Sequence, residues 1–90
     1  MARPLRINVA DGWYHITNRG IDRHRIFDDD RDYKHFLDLL SAMSARFVVR
    51  VHAYVLMSNH YHLLIQTPGA NASQAIQWLN VSYSVYNKQK

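Results

Sequence analysis

The 90-residue chain contains no cysteine. Disulfide bonds, thiolate zinc sites and a cysteine nucleophile are therefore excluded for these residues. Long apolar runs are also absent, since none approaches the ~18 residues that a membrane-spanning helix needs. The charged N-terminal segment is not followed by the apolar stretch that a signal peptide requires. We therefore expect a soluble, cytoplasmic protein with no membrane partner.

Acidic residues are scarce as well. Seven of them stand against eleven lysines and arginines, which gives a net charge of +4 and a pI of about 9.7. This balance is compatible with a polyanionic partner, nucleic acid first, although many small basic domains bind nothing anionic. At 48% hydrophobic residues the chain is too apolar for intrinsic disorder. Its length predicts a single domain over residues 1–90.

The spacing of apolar residues predicts five elements in the order strand, helix, strand, strand, helix. The strands are expected at 13–18, 48–57 and 60–66, and the helices after the acidic cluster at 28–30 and over 71–87. This order is the βαββα unit of a ferredoxin-like α+β sandwich. We expect an antiparallel sheet with both helices on one face and the other face open. We also expect the closing strand to be missing, either because the chain is truncated at its C-terminus, because a closing element comes from elsewhere, or because the sheet is incomplete.

Two histidines in the third strand are the strongest functional signal. Side chains on a strand alternate between faces, so His60 and His62 point the same way. Tyr61, Leu63 and Ile65 point the other way and are the better core residues, which puts the histidines on the open face. There they form a two-point chelate for a metal ion, the alternative being two polar positions on a solvent-facing strand.

The last helix offers candidates for a third ligand and for a nucleophile. On a wheel of about 100° per residue, Tyr86 falls near the middle of the apolar arc and Tyr83 at its edge. Asn87 lies one turn from Tyr83 on the same face. Two imidazoles and an amide oxygen suit a hard divalent ion that must also bind a phosphate, and a nearby tyrosine could attack that phosphate. The alternative for Tyr83 is a ring packed under the sheet edge.

Arginines and aromatics could supply a path for single-stranded DNA. Guanidinium groups pair well with phosphates, and Trp13 or Tyr54 could stack on bases. The candidate arginines form two groups, Arg3 and Arg6 near the N-terminus and Arg19, Arg23 and Arg25 around Gly20. For the second group the alternative is a solvated loop paired with neighbouring aspartates. Two further strand histidines, His15 and His52, could approach the pair, with a structural hydrogen bond as the simpler expectation for both.

The segment 55–64, VLMSNHYHLL, resembles the HUH signature (His, bulky hydrophobic, His) of single-tyrosine, IS200-like transposases. Three further sets of residues resemble the REP-associated tyrosine transposase branch of that family: residues 2–7, residues 14–20 followed by 26–27, and residues 79–87. Four separated motifs in the right order cover nearly the whole chain. Two departures stand out: Ser58 replaces a frequent proline, and the spacing from Tyr83 to asparagine is one residue short.

The resemblance implies a Mg²⁺ or Mn²⁺ ion held by His60 and His62, with Asn87 as third ligand. It further implies that Tyr83 attacks single-stranded DNA at a hairpin-forming repeat, leaving a 5′-phosphotyrosyl enzyme and a free 3′-hydroxyl. The shortened spacing leaves Tyr86 as an alternative nucleophile. A bacterial, nucleoid-associated enzyme is implied, either monomeric or homodimeric. The rival expectation is a catalytically incomplete module that only binds single-stranded nucleic acid.

Overall fold

Three antiparallel strands carry two helices on one face. The computed structural model describes residues 10–19 and 24–89. Its elements are β1 (Gly12–Arg19), α1 (Asp30–Phe47), β2 (Arg50–Met57), β3 (His60–Thr67) and α2 (Ala72–Gln89). The predicted βαββα order and the α+β class are confirmed. No helix within the described ranges is both long enough and apolar enough to cross a membrane.

Strand β3 is the centre of the sheet, whose strand order is β1-β3-β2. On one side it pairs with β1, so that Thr17 lies opposite His62 and Ile16 opposite Leu63. On the other side it forms a hairpin with β2, with an irregularity in register between Val51 and Ala53. Directly opposed residues share a face. The register therefore decides which side chains surround the histidine pair.

Helix α1 begins and ends with well-defined caps. The Asp29 side chain accepts hydrogen bonds from the backbone N–H groups of Arg31 and Asp32, at 3.0 and 3.2 Å. Such a cap satisfies donors that the first helical turn leaves free. The helix ends at Val48, whose φ of 55° is left-handed. The prediction that β2 starts at residue 48 was therefore wrong, because Val48 serves as the helix cap and the ladder begins at Arg50.

The core lies between the sheet and the helices. Tyr61, Leu63 and Ile65 of β3 are at most 1% exposed and belong to one cluster with residues of both helices. The helix residues of that cluster are Phe36, Leu40, Met43, Ala75, Ile76, Leu79 and Tyr83. The predicted division of β3 into a core face and a histidine face is confirmed.

Candidate metal and nucleic-acid site on the open sheet face

The face of the sheet that the helices leave uncovered is called the open face below. The strand register shows which side chains lie on it, and the contact of His52 with Gln66 places His52 there as well. They are Trp13, His15, Thr17, Arg19, Arg50, His52, Ala53, Val55, Met57, His60, His62, Leu64 and Gln66. None of them is acidic. Within the described strands, the open face therefore combines imidazoles, two arginines and apolar groups, and these strand positions carry no carboxylate that would repel an anion.

His62 is held from β1 through one of its ring nitrogens. Its Nδ1 lies 3.1 Å from His15 Nε2 and 3.1 Å from Thr17 Oγ1. The rings of His15 and His62 are nearly parallel, with centroids 5.2 Å apart. Histidines that bind metals usually have their second nitrogen fixed by such a neighbour, which sets the tautomer and the ring orientation. The geometry leaves Nε2 of His62 as the nitrogen available to a metal ion.

His60 is fixed in the same way by its own neighbour. Its Nδ1 lies 2.8 Å from Asn59 Oδ1, and an amide oxygen only accepts hydrogen bonds, so Nδ1 carries the proton. The unprotonated Nε2 of His60 then carries the lone pair. The two rings are almost perpendicular, with centroids 5.1 Å apart. Two neighbouring imidazoles, each anchored through Nδ1, are a donor set that fits a divalent ion.

The electrostatics of the site favour neutral imidazole at His62. Desolvation lowers the pKa of His62 below its usual 6.5, and Coulombic repulsion from His60, His15 and Arg19 lowers it further. Only the neutral ring can donate its lone pair to a metal ion. His62 is therefore in its ligand form at neutral pH.

Among the described residues, no group of three His, Cys, Asp or Glu side chains is arranged to hold a metal ion. Asn87 is exposed on α2 and lines a cavity on the helix side of the sheet. The amide that does contact the sheet is Asn80, which accepts hydrogen bonds from the Tyr61 hydroxyl and, at 3.3 Å, from Asn18. That contact also lies on the helix-covered face.

Tyr83 is a core residue, whereas the helical wheel predicted a boundary position. It is 6% exposed, and its hydroxyl donates to the Ile26 carbonyl oxygen at 2.8 Å. Its burial raises its pKa well above the ordinary 10.0, and the nearby Asp32 adds to the effect. The wheel failed because it treats only the helix. The segment 26–27, tied to Ser58 through backbone hydrogen bonds of 2.7 and 3.1 Å, covers the edge of α2 on which Tyr83 lies.

Tyr86 occupies the boundary position in its place. It is partly exposed, its ring stacks on His35 with centroids 3.8 Å apart, and its hydroxyl donates to Asp32 Oδ1 at 2.8 Å. The prediction of a core position for Tyr86 was therefore wrong. The hydroxyls of Tyr83 and Tyr86 both bond to groups on the helix side, those of Ile26 and Asp32.

Comparison with models of known protein families gives a match over residues 8–90, to the family described as transposase IS200-like. The chain belongs to the IS200-like transposase family. The family expected from the motifs is thereby confirmed, together with a role in processing DNA. Comparisons with curated proteins and with solved structures gave no match.

In this IS200-like transposase, two of the predicted arginines lie with Tyr83 and Asn87. Arg19 and Arg25 line the same cavity of about 610 Å³ between the end of β1 and α2. Arg25 also approaches Asp28 at 3.8 Å, with both side chains well exposed, so the pair is weak. This is the ion pairing that the solvated-loop alternative expected. Arg3, Arg6 and Arg23 lie outside the described residues.

Sequence reasoning missed two contacts of this transposase. The first is the contact of Thr17 with His62, whereas the approach of His15 to the histidine pair was expected. The second is a stack between Trp13 and His52 with centroids 4.1 Å apart. Both depend on the register between strands, which the predicted order of elements does not specify. Tyr54, the other aromatic considered for stacking, lies opposite Leu63 and so belongs to the helix-covered face.

Proposed function

We propose that this IS200-like transposase cleaves and rejoins single-stranded DNA with the help of Mg²⁺ or Mn²⁺ held by His60 and His62. One observation carries the proposal: both rings are anchored through Nδ1 and have Nε2 left for a metal ion. The lack of carboxylates among the described strand residues of the open face supports a phosphate-bearing substrate. The expected substrate is a hairpin-forming repeat of bacterial nucleoid DNA, and the proposal holds for a monomer or a homodimer.

The reaction follows from the groups involved. When bound, the divalent ion would act as a Lewis acid at a phosphate oxygen. A tyrosine hydroxyl attacks the phosphorus, forming a bond between its oxygen and phosphorus while the bond from phosphorus to the 3′-oxygen breaks. The phenolic proton is lost and the leaving 3′-oxygen gains one. The products are a 5′-phosphotyrosyl enzyme and a free 3′-hydroxyl, and rejoining is the reverse transfer.

Tyr83 is the proposed nucleophile and Tyr86 the alternative, with Asn87 as the third ligand. For Tyr83 to attack, its 2.8 Å bond to the Ile26 carbonyl must break and the C-terminal half of α2 must leave the core. Tyr83 and Asn87 are one helical turn apart, so a single displacement of this segment carries both toward the histidines. For Tyr86 the corresponding bond is the one to Asp32.

The burial of Tyr83 favours a second function. If α2 keeps its position, the tyrosine hydroxyls do not reach the open face. The chain would then bind single-stranded nucleic acid without cleaving it. Antiparallel sheets bind unpaired bases by stacking them on exposed aromatic and histidine side chains.

A denaturing gel with labelled hairpin DNA and Mn²⁺ distinguishes these functions. We expect a covalent protein–DNA adduct that is lost with EDTA and in the variants Tyr83→Phe and His60→Ala. Tyr54→Phe serves as the matched control. Tyr54 lies on the helix side of the sheet, away from the histidines, and its side chain is half exposed. Loss in Tyr86→Phe alone would move the nucleophile to Tyr86. Binding without adduct in every form would support the binding module.

A further inference from the structure

Trp13 is a large aromatic side chain that is half exposed while one face of its ring is covered. It is 56% exposed, and its indole stacks on His52 with centroids 4.1 Å apart and planes at 17°. His52 is in turn held by Gln66, with Nε2 lying 3.1 Å from Oε1. The His52 ring thus fixes the indole from one side. No second ring of a described residue stacks on the indole, so its opposite face can take a flat partner.

The surroundings of this stack suit an anionic, base-bearing partner. Gln66 lies directly opposite both Trp13 and Arg50 in the register, so the amide lies between the indole and an arginine, and the His52 imidazole stacks on the indole. The amide offers donors and an acceptor to the edge of a base. None of the described strand residues on the open face is acidic, so their charge complements a phosphate backbone and opposes an acidic peptide.

We infer that Trp13, His52 and Gln66 form a binding site for an unpaired nucleobase of the single-stranded DNA substrate, with the base stacked on the uncovered face of the Trp13 indole. The inference rests on the proposed single-stranded DNA substrate. It assigns a contact away from the reacting phosphate. Base stacking on an aromatic side chain tolerates any base, so this site holds the strand and adds little sequence preference.

The position of the site relative to the histidines is fixed by β3. Gln66 lies four residues after His62 on the same face, which is ~13 Å along an extended strand. A strand whose phosphate lies at His60 and His62 would therefore place a base a few nucleotides away on Trp13. The two sites are separate, and each is open to its own test.

Tryptophan fluorescence reports the contact directly. The only other tryptophan is Trp78, which packs against Phe47, so Trp78→Phe leaves Trp13 as the single emitter. We expect oligothymidylate, added in EDTA to prevent cleavage, to quench this emission. Trp13→Ala should weaken binding of the oligomer by roughly ten- to a hundredfold, and Trp13→Phe much less. An oligomer lacking bases should bind wild type and Trp13→Ala equally.

Tyr54→Ala is the matched control, because Tyr54 is 50% exposed and on the other face of the sheet. Its binding should equal that of wild type. Unquenched Trp13 on bound DNA, or a loss equal in Tyr54→Ala and Trp13→Ala, would overturn the inference, and so would a complete lack of DNA binding. The adduct assay is independent of this outcome. Quenching without an adduct would retain the base site and reject strand transfer, whereas an adduct without quenching would do the reverse.

Discussion

His15 Nε2 lies 3.1 Å from His62 Nδ1, joining β1 to β3 at the centre of the sheet. Thr17 reaches the same nitrogen at the same distance. His62 therefore has two neighbours that can hold its ring, and its Nε2 is directed by residues about 45 positions earlier in the chain. The orientation of His62 therefore depends on the pairing of β1 with β3 and not on β3 alone.

The first prediction concerns metal affinity. His15→Ala should weaken Mn²⁺ binding about ten- to a hundredfold, because the ring of His62 loses a partner that fixes its orientation. Binding can be followed by the paramagnetic resonance signal of free Mn²⁺, without any DNA present. His24→Ala, at an exposed histidine away from the open face, should leave the affinity unchanged. Equal affinities for His15→Ala and wild type would show that the contact does not serve the metal site.

The sequence predicts local features of this protein better than contacts between distant segments. Alternation along β3 correctly placed His60 and His62 opposite Tyr61 and Leu63, since that pattern depends on one strand only. The wheel placed Tyr83 wrongly, because the segment 26–27 that buries it is neither helix nor strand and carries no periodic signal. The approach of His15 to the histidine pair was expected, but the contact of Thr17 with His62 needed the register between β1 and β3 as well as the strands themselves. The predictions that failed were therefore those that depend on tertiary packing.

The second prediction concerns the cap at the end of α1. Val48 is 66% exposed and has a φ of 55°, a region that costs a β-branched residue roughly 1–2 kcal/mol. Val48→Gly removes that strain, but adds chain entropy to the unfolded state. We expect a net gain of about 0.5–1 kcal/mol in the free energy of unfolding, measured by urea denaturation. Val55→Gly, at a strand position that is 53% exposed, should instead lower stability.

The third prediction concerns alkaline pH. Burial raises the pKa of Tyr61 to about 12, although hydrogen bonds with Asn18 and Asn80 act in the opposite direction. Above the unfolded value of 10.0 the unfolded chain loses this proton while the folded chain keeps it, so the stabilisation is complete below pH 10 and is lost as pH rises toward 12.

Urea unfolding across this range should show stability falling by about 1 kcal/mol per pH unit through Tyr61 alone. Tyr61→Phe should reduce the slope, and Tyr83→Phe should reduce it as well, because burial also raises the pKa of Tyr83. Tyr61→Phe should be less stable than wild type at neutral pH, since Asn80 loses a donor. A slope that is unchanged in Tyr61→Phe would contradict the assignment.

The last prediction separates a metal ion that serves chemistry from one that holds the fold. His60 and His62 lie on the open face, whereas the core is formed on the other face by Tyr61, Leu63 and the helix residues packed on them. A structural metal would have to join elements that nothing else joins, and chelation would then unfold the protein. Here the hairpin and the core already join β2, β3 and both helices.

EDTA should therefore leave the thermal unfolding midpoint nearly unchanged while abolishing the DNA adduct. The variant His60→Ala, tested by the same two measurements, should behave like the chelated wild type. If EDTA lowered the midpoint of wild type by a large amount but did not change that of His60→Ala, which lacks a metal ligand, the ion would instead be assigned to stability.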